Sequence, residues 1–244
     1  MGKKKRKKKP PSTRPASPSQ TPEEAQGRQE RKEAARRERE ARIKRARRRQ
    51  RTRKLVRWLV VFLVLGLIAG FIWWRGAESR RVLDAAEAAA REIGCEEIQE
   101  LESQGQGHEP PYEYTERPAT SGAHAPNVLD PAISVYDDPI DQTLEPQAVH
   151  NLEHAYVIMY YRNEGPEALP ENVRAGLAEL AESQDKVILA PFPDLPEGTS
   201  LTFAAWRRVQ HCPQVNDPGS AEQVARGFIQ RFRSGGVAPE PTAV

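Results

Sequence analysis

The sequence predicts an α+β domain that follows a disordered basic tail and one transmembrane helix. Short apolar runs in the C-terminal half are typical of buried strands, and residues at helical spacing lie between them. An uncharged apolar stretch before that half is long enough to cross a bilayer. We therefore expect a small, mostly antiparallel sheet with flanking helices, tethered to a membrane.

Charge divides the chain at the apolar stretch. Residues 1–57 carry 24 Lys and Arg against 6 Asp and Glu, whereas residues 58–244 carry 13 against 28. Such a division favours two different surroundings for the two parts of the chain. The hydrophobic fraction is 38%, below the roughly 45–50% of globular proteins, so part of the chain should lie outside the folded domain.

The basic tail is predicted to have two parts. Residues 1–20 are rich in lysine, proline and serine and should be disordered. Residues 21–54 should form a charged cytoplasmic helix, because Thr21 can cap it and Pro22 suits its first turn. The clustered cations favour anionic lipid as a partner. Nucleic acid is disfavoured because no aromatic residue interleaves with the basic ones, and a protein partner stays open.

Residues 55–74 are predicted to span the membrane. No charged residue lies between Arg57 and Arg75, and about 20 apolar residues cross a hydrocarbon core of roughly 30 Å. Trp58 and Trp74 lie near the two ends, where aromatic side chains anchor a helix at the interface. A cleaved signal peptide is disfavoured because its basic region would be far too long and no small-x-small site follows.

The positive-inside rule fixes the orientation of this helix. Lysine and arginine are dense just before the span and sparse after it. We therefore expect a single-pass cell-membrane protein with a cytoplasmic N-terminus and an extracytoplasmic C-terminal domain.

The C-terminal part is predicted to hold three strands and three helices. A juxtamembrane helix should cover 75–94, a folded domain 95–234, and a disordered tail 235–244. Residues 95–148 should be irregular because they are rich in proline, glycine and aspartate. Within the domain, strands are expected at 155–161, 186–190 and 200–209, and helices at 170–184 and 221–232.

The two cysteines, Cys95 and Cys212, lie near the two ends of the domain. If the domain is outside the cytoplasm, a disulfide between them is favoured. Closing so long a loop should stabilise the fold by roughly 4–5 kcal/mol on a loop-entropy estimate. The alternative is that Cys212, beside His211, is a thiolate ligand or redox group.

Histidines form the most informative pattern of the domain. His150 and His154 stand four residues apart, so they would lie on one face of a helix and could bind one metal ion. His124 follows Ser121 and Gly122, whose types suit a tight turn that could bring a third imidazole to the site. The sequence thus predicts a zinc or copper site at His124, His150 and His154.

Two other readings of the same histidines stay open. The order H-x-x-E-H matches a zinc peptidase pattern in which Glu153 would be the general base of a hydrolase. The motif runs directly into a predicted strand, however, whereas the peptidase needs a continuous helix. Alternatively, the histidines make buried hydrogen bonds in a structural or partner-binding envelope protein.

Three short blocks stand out in the external domain: TSGAH at 120–124, VHNLEH at 149–154, and AAW at 204–206 ahead of Cys212. Together they resemble the bacterial domain of unknown function 3105 family. The resemblance covers about residues 93–234 and implies an N-terminal membrane anchor, but it brings no biochemical activity. In the family the second block is usually followed by two glycines, where this chain has Ala155-Tyr156.

Carried over residue by residue, the resemblance marks ten positions of this chain. We expect Asn151 and Ser121 to support the metal ligands from behind, and Glu153 to do the same or to serve as an extra ligand. The marked positions are Cys95, Ser121, Gly122, His124, His150, Asn151, Glu153, His154, Trp206 and Cys212.

Overall fold

A computed structural model describes residues 22–233 and 236–242 of the chain. The chain divides into two compact units, one ending at Gly70 and the other beginning at Phe71. The elements are helix α1 (Pro22–Glu92), strand β1 (Gln99–Glu100), helix α2 (Glu145–Glu153), strand β2 (Val157–Tyr161), helix α3 (Glu171–Glu182), strands β3 (Val187–Pro191), β4 (Leu201–Ala205) and β5 (Arg208–Cys212), and helix α4 (Pro218–Phe232).

The charged part of α1 is a solvated helix. It begins at Pro22, close to the predicted start, and the predicted disordered tail 1–20 lies outside the described residues. Ion pairs one turn apart line its surface, such as Arg36 with Glu40 at 3.3 Å. Exposed pairs of this kind contribute only about 0.3–0.5 kcal/mol each, so helix propensity and solvation dominate here.

The apolar stretch forms the middle of α1. Its large side chains are exposed, with Leu59 at 67% and Leu63 at 65%. Among the described residues, this one helix is long and apolar enough to cross a membrane, by length and composition alone.

The second unit is built around one five-stranded sheet in the order β1-β5-β4-β2-β3. The pairs β1–β5, β5–β4 and β4–β2 are antiparallel, and β2–β3 is parallel. The predicted α+β class with a mostly antiparallel sheet is therefore confirmed. Strand β2 lies between β4 and the edge strand β3, and α2 leads directly into it. The residues that α2 carries are therefore held close to a strand that is paired on both sides.

Both faces of the sheet are covered. Side chains alternate along β2, so that Val157, Met159 and Tyr161 enter one apolar cluster and Ile158 and Tyr160 enter the other. Helices α3 and α4 and the end of α1 cover the first face. Helix α2 and the long irregular segment before it cover the second face.

The prediction of one strand at 200–209 is wrong. Those residues form a hairpin, in which β4 and β5 pair through a turn at Trp206 and Arg207. Arg207 has a positive φ of 56°, yet the turn contains none of the Gly, Asn or Asp residues that usually signal a hairpin. Tertiary bonds fix it, because the Arg207 N–H donates to Thr120 O at 3.0 Å and Nε donates to Leu101 O at 3.0 Å.

Within the tail predicted to be disordered over 235–244, the structure describes residues 236–242 in contact with the domain. Val237 and Ala238 pack against the cluster on the second face. The Glu240 N–H donates to Glu153 O at 3.1 Å, and Lys186 Nζ donates to Pro241 O at 3.0 Å. The segment is thus held by the packing of two apolar side chains and by hydrogen bonds to its backbone, although its composition predicted disorder.

The end of α1 and the last helix pack closely in the second unit. The predicted helices at 75–94, 170–184 and 221–232 are present, and α4 starts three residues early because Asp217 caps it by accepting from Ser220 N at 2.6 Å. Gly227 of α4 faces Ala86, and a Cβ at Gly227 would overlap the Ala86 Cβ.

The predicted disulfide between Cys95 and Cys212 is present. It joins the chain just after α1 to the end of β5, with the Glu96 N–H donating to His211 O at 2.8 Å beside it. Because both sulfurs are in the bond, the alternative of a thiolate ligand at Cys212 is wrong for this structure.

We predict that Gly227→Ala destabilises the domain by about 1–3 kcal/mol, because the new methyl group overlaps Ala86 in a packed helix contact. Gly176→Ala is the matched control: nothing lies within 4 Å of its Cβ position in α3, so it should stabilise by about 0.5–1 kcal/mol. Denaturant unfolding of the detergent-solubilised chain measures both. If both changes altered the free energy of unfolding equally, the close contact between Gly227 and Ala86 would be contradicted.

Candidate metal site

Three imidazole rings meet at one place beside α2. The ring centroids are 4.8 Å apart for His108–His124, 4.9 Å for His108–His150 and 4.9 Å for His124–His150. The carboxylate of Glu153 joins them, and one ligand atom from each of the four residues lies within 4.8 Å of the others. His108 is exposed, whereas the other three are buried. We call these four residues the His₃Glu group.

Two loops pair to bring His108 beside His124. The Gly122 N–H donates to Gly105 O at 3.1 Å, and the His124 N–H donates to Gly107 O at 2.8 Å. Gly122 has a φ of 129°, and a Cβ there would lie 3.0 Å from the ring of a tyrosine. A residue with a side chain at 122 would therefore be strained and crowded.

Buried Glu145 at the start of α2 holds the loop before His124. Its carboxylate accepts from the Ala119 N–H at 2.9 Å and pairs with Arg117. Burial raises the pKa of Glu145, and the hydrogen bond from Ala119 and the charge of Arg117 oppose that shift. The same helix that presents His150 and Glu153 thus also anchors the loop that presents His124.

The end of α2 fixes the positions of the remaining groups. His150 and Glu153 lie one turn apart, and His154 is the C-cap. Ala155 follows with a φ of 64°, while Ala155 N–H donates to Leu152 O at 3.1 Å and Tyr156 N–H donates to Asn151 O at 3.1 Å.

This is a Schellman motif, in which the left-handed position is usually glycine. Ala155 therefore occupies a left-handed position that glycine adopts most readily, which fits the glycine that the resemblance implies there. His154 consequently points from a helix end rather than from the continuous helix that the peptidase pattern needs.

The tautomer of His124 follows from its surroundings. Its Nδ1 lies 2.8 Å from Gly122 O; since a carbonyl only accepts, Nδ1 carries the hydrogen. In the neutral ring Nε2 is then an acceptor, yet it lies 3.0 Å from Glu153 Oε2. Two acceptors at this distance need a cation between them, either a proton or a metal ion. Two ligand atoms on a tetrahedral zinc ion are about 3.3 Å apart, close to the observed spacing.

His150 is the least satisfied member of the group. It is buried, and its Nδ1 has no hydrogen-bond partner among the described residues. Burial lowers the pKa of His150, and the charges of His124, His154 and His108 lower it further. The ring is therefore neutral at pH 7, the form in which imidazole binds metals.

His154 lies beside the His₃Glu group rather than within it. Its ring centroid is 4.7 Å from that of His150, and its Nδ1 donates to Glu240 O at 2.9 Å. Ligand atoms of Glu153, His154 and Glu240 lie within 4.8 Å of one another and form a second group, which shares Glu153 with the first.

Two of the residues expected to support the ligands, Asn151 and Ser121, accept hydrogen bonds from the backbone of neighbouring loops. Asn151 Oδ1 accepts from the Leu129 N–H at 2.8 Å, and Ser121 Oγ accepts from the Gln104 N–H at 3.0 Å. Both therefore position loops around the site, whereas Glu153 contacts His124 directly.

Sequence reasoning placed His124, His150 and Glu153 together but missed His108 and Glu240. His108 follows Gly105-Gln106-Gly107, just as His124 follows the glycine-containing turn at Ser121 and Gly122. This similarity could have indicated that His108 is also a candidate ligand. Glu240 lies in the segment predicted to be disordered, and no sequence pattern marked it as a candidate ligand. The assignment of His124, His150 and His154 as ligands stays a prediction.

The fold and the clustered histidines define an α+β domain with a polar site just before the interior strand β2. The family model described as protein of unknown function (DUF3105) matches residues 107–244, more than half of the chain. The chain therefore belongs to this family, as the three sequence blocks indicated. The matched range includes both groups and leaves out Cys95. Comparisons with curated proteins and with solved structures each find no match.

We predict that Ala155→Gly stabilises the domain by about 0.5–1 kcal/mol. A left-handed conformation costs a non-glycine residue roughly 1–2 kcal/mol, and the greater freedom of glycine in the unfolded chain offsets part of the gain. Ala175→Gly, the same change at an exposed position inside α3, should instead destabilise by about 0.5–1 kcal/mol. Denaturant unfolding should give opposite signs; two losses would contradict the role assigned to position 155.

Proposed function

We propose that this protein is a membrane-anchored, extracytoplasmic metal-binding protein whose His₃Glu group holds one zinc or copper ion. The observation that carries the proposal is the pair formed by His124 Nε2 and Glu153 Oε2, two acceptors 3.0 Å apart in the buried site. A buried carboxylate is costly unless a positive charge compensates it. A divalent ion bound by three neutral imidazoles and one carboxylate would carry a net charge of +1.

The donor chemistry supports a transition metal. Imidazole nitrogen suits zinc and copper, and a carboxylate oxygen completes a common ligand set for either. The unpartnered Nδ1 of His150 is a further group that a metal would satisfy. His108 is the exposed member, so an ion would enter from its side.

The alternative without metal requires His124 and Glu153 to share a proton. The hydrolase alternative requires Glu153 to act as a base on a metal-bound water. Its place among the candidate ligands favours coordination over that role. A Glu153→Gln change separates these readings: a ligand role weakens metal binding, whereas a base role abolishes hydrolysis and leaves binding intact.

We predict that the full chain, purified in detergent, contains zinc or copper by elemental analysis. His124→Ala should weaken binding of that metal by more than about 100-fold, because changing even the partners behind a ligand weakens binding 10–100-fold. His211→Ala is the matched control, since His211 pairs with Thr202 and belongs to neither group. Protein that is metal-free as purified and takes up neither metal on titration would end this proposal.

The proposed location rests on three observations. The apolar part of α1 can cross a bilayer, dense basic residues precede it, and the disulfide fits an oxidising compartment. The basic tail on the cytoplasmic side would then attract anionic lipid, at about 1 kcal/mol per basic residue near the surface.

We predict that Cys95 and Cys212 resist a maleimide reagent in acid-quenched cells and react only after reduction. A Ser17→Cys variant should add one thiol that reacts without reduction, because residue 17 would lie in the cytoplasm. Reactive native thiols, or a protected thiol at position 17, would contradict the proposed orientation.

A further inference from the structure

Glu153 belongs to both groups of candidate ligands. We infer that the domain binds a second divalent metal ion through Glu153, His154 and Glu240, so that the Glu153 carboxylate bridges two ions. This inference rests on the proposed function, because the bridge exists only if the His₃Glu group is occupied.

The geometry of the second group suits a metal with nitrogen and oxygen ligands. The ligand atoms of its three members lie within 4.8 Å of one another. His154 Nδ1 donates to the Glu240 carbonyl at 2.9 Å, which leaves Nε2 of the neutral ring as an acceptor for a cation. The His154 ring lies 4.7 Å from that of His150, so ions held by these two histidines would be close neighbours.

The C-terminal segment is held where Glu240 can act as a ligand. The Glu240 N–H donates to Glu153 O at 3.1 Å, and Lys186 Nζ donates to both His154 O and Pro241 O at 3.0 Å. Three backbone contacts thus surround the second group. None of them uses the Glu240 carboxylate, which is free to bind an ion without giving up a bond that holds the segment.

Charge also favours a second cation. Two carboxylates approach each other here, and in the described part of the chain neither forms an ion pair with a lysine or arginine. Lys186 is nearby, but its ammonium group is engaged with two carbonyls. A second divalent ion would bring the two carboxylates and four imidazoles to a net charge of +2, which a bridging hydroxide would lower to +1. Three protein ligands leave an open position for such water on the second ion.

The decisive experiment counts zinc in the full, detergent-solubilised chain after loading with zinc and removal of the excess. We expect two equivalents in the unmodified protein and one in Glu240→Gln, which keeps the backbone contacts of the segment. Glu197→Gln, at an exposed glutamate outside both groups, should keep two. Circular dichroism of each variant reports whether the fold survives.

X-ray absorption of the zinc-loaded protein provides an independent measurement. It should show zinc–zinc scattering at about 3.5–4 Å, the usual separation of paired ions, and this signal should be lost in Glu240→Gln. One equivalent in both proteins without that signal would overturn the second site and leave the proposed function standing. No bound zinc or copper in any variant would overturn both. Two equivalents in Glu240→Gln, with the signal kept, would overturn the assignment of Glu240.

Discussion

The reversal of the chain between α2 and β2 is the constraint on which the rest of the site depends. The Asn151 carbonyl accepts from Tyr156 N–H and closes the helix, while the Asn151 side chain accepts from Leu129 N–H and fastens the preceding loop. Strand β2 starts at Val157 and pairs on both sides. His150, Glu153 and His154 are thereby fixed relative to the sheet, with little freedom left to their backbone.

Buried polar groups are concentrated at this reversal and in the loop that carries His124. His124, Asn151 and Glu153 are almost entirely buried, and burying such groups is unfavourable unless each finds a partner. Most of them do so through backbone atoms, which fixes tautomers and orientations. Two buried atoms here, His150 Nδ1 and Asn151 Nδ2, have no hydrogen-bond partner among the described residues. His124 Nε2 faces only the Glu153 carboxylate, and His124, His150 and Glu153 belong to the same candidate metal group. An arrangement of this kind is expected where a binding site is prepared before its ligand arrives.

Local patterns predicted the elements that depend on local physics. The apolar runs predicted β2 and β3, because a strand that is buried on both faces consists almost entirely of apolar residues. The hairpin between β4 and β5 was missed because Arg207 is kept at positive φ by bonds to Thr120 and Leu101, which are distant in sequence. Tertiary contacts of this type leave no trace in the turn itself.

The same limit applies to the site. His124, His150 and Glu153 stand in compact sequence blocks, whereas His108 and Glu240 arrive by folding. His108 depends on pairing between two glycine-containing loops, and Glu240 depends on contacts to Glu153 and Lys186. No spacing rule connects these residues, since 132 positions separate His108 from Glu240.

The disulfide has a mechanical consequence. Cys95 follows α1 by a few residues, and Cys212 ends β5, so all residues between them lie inside one covalent loop. Tension applied through α1 would pass across the sulfur bridge to Cys212 and on into α4. The enclosed segment, which includes β5 and the four clustered histidines, would carry none of the load along the chain. Glu240 alone among the candidate ligands lies outside the loop. A pulling force would therefore detach the C-terminal segment while the His₃Glu group stays assembled.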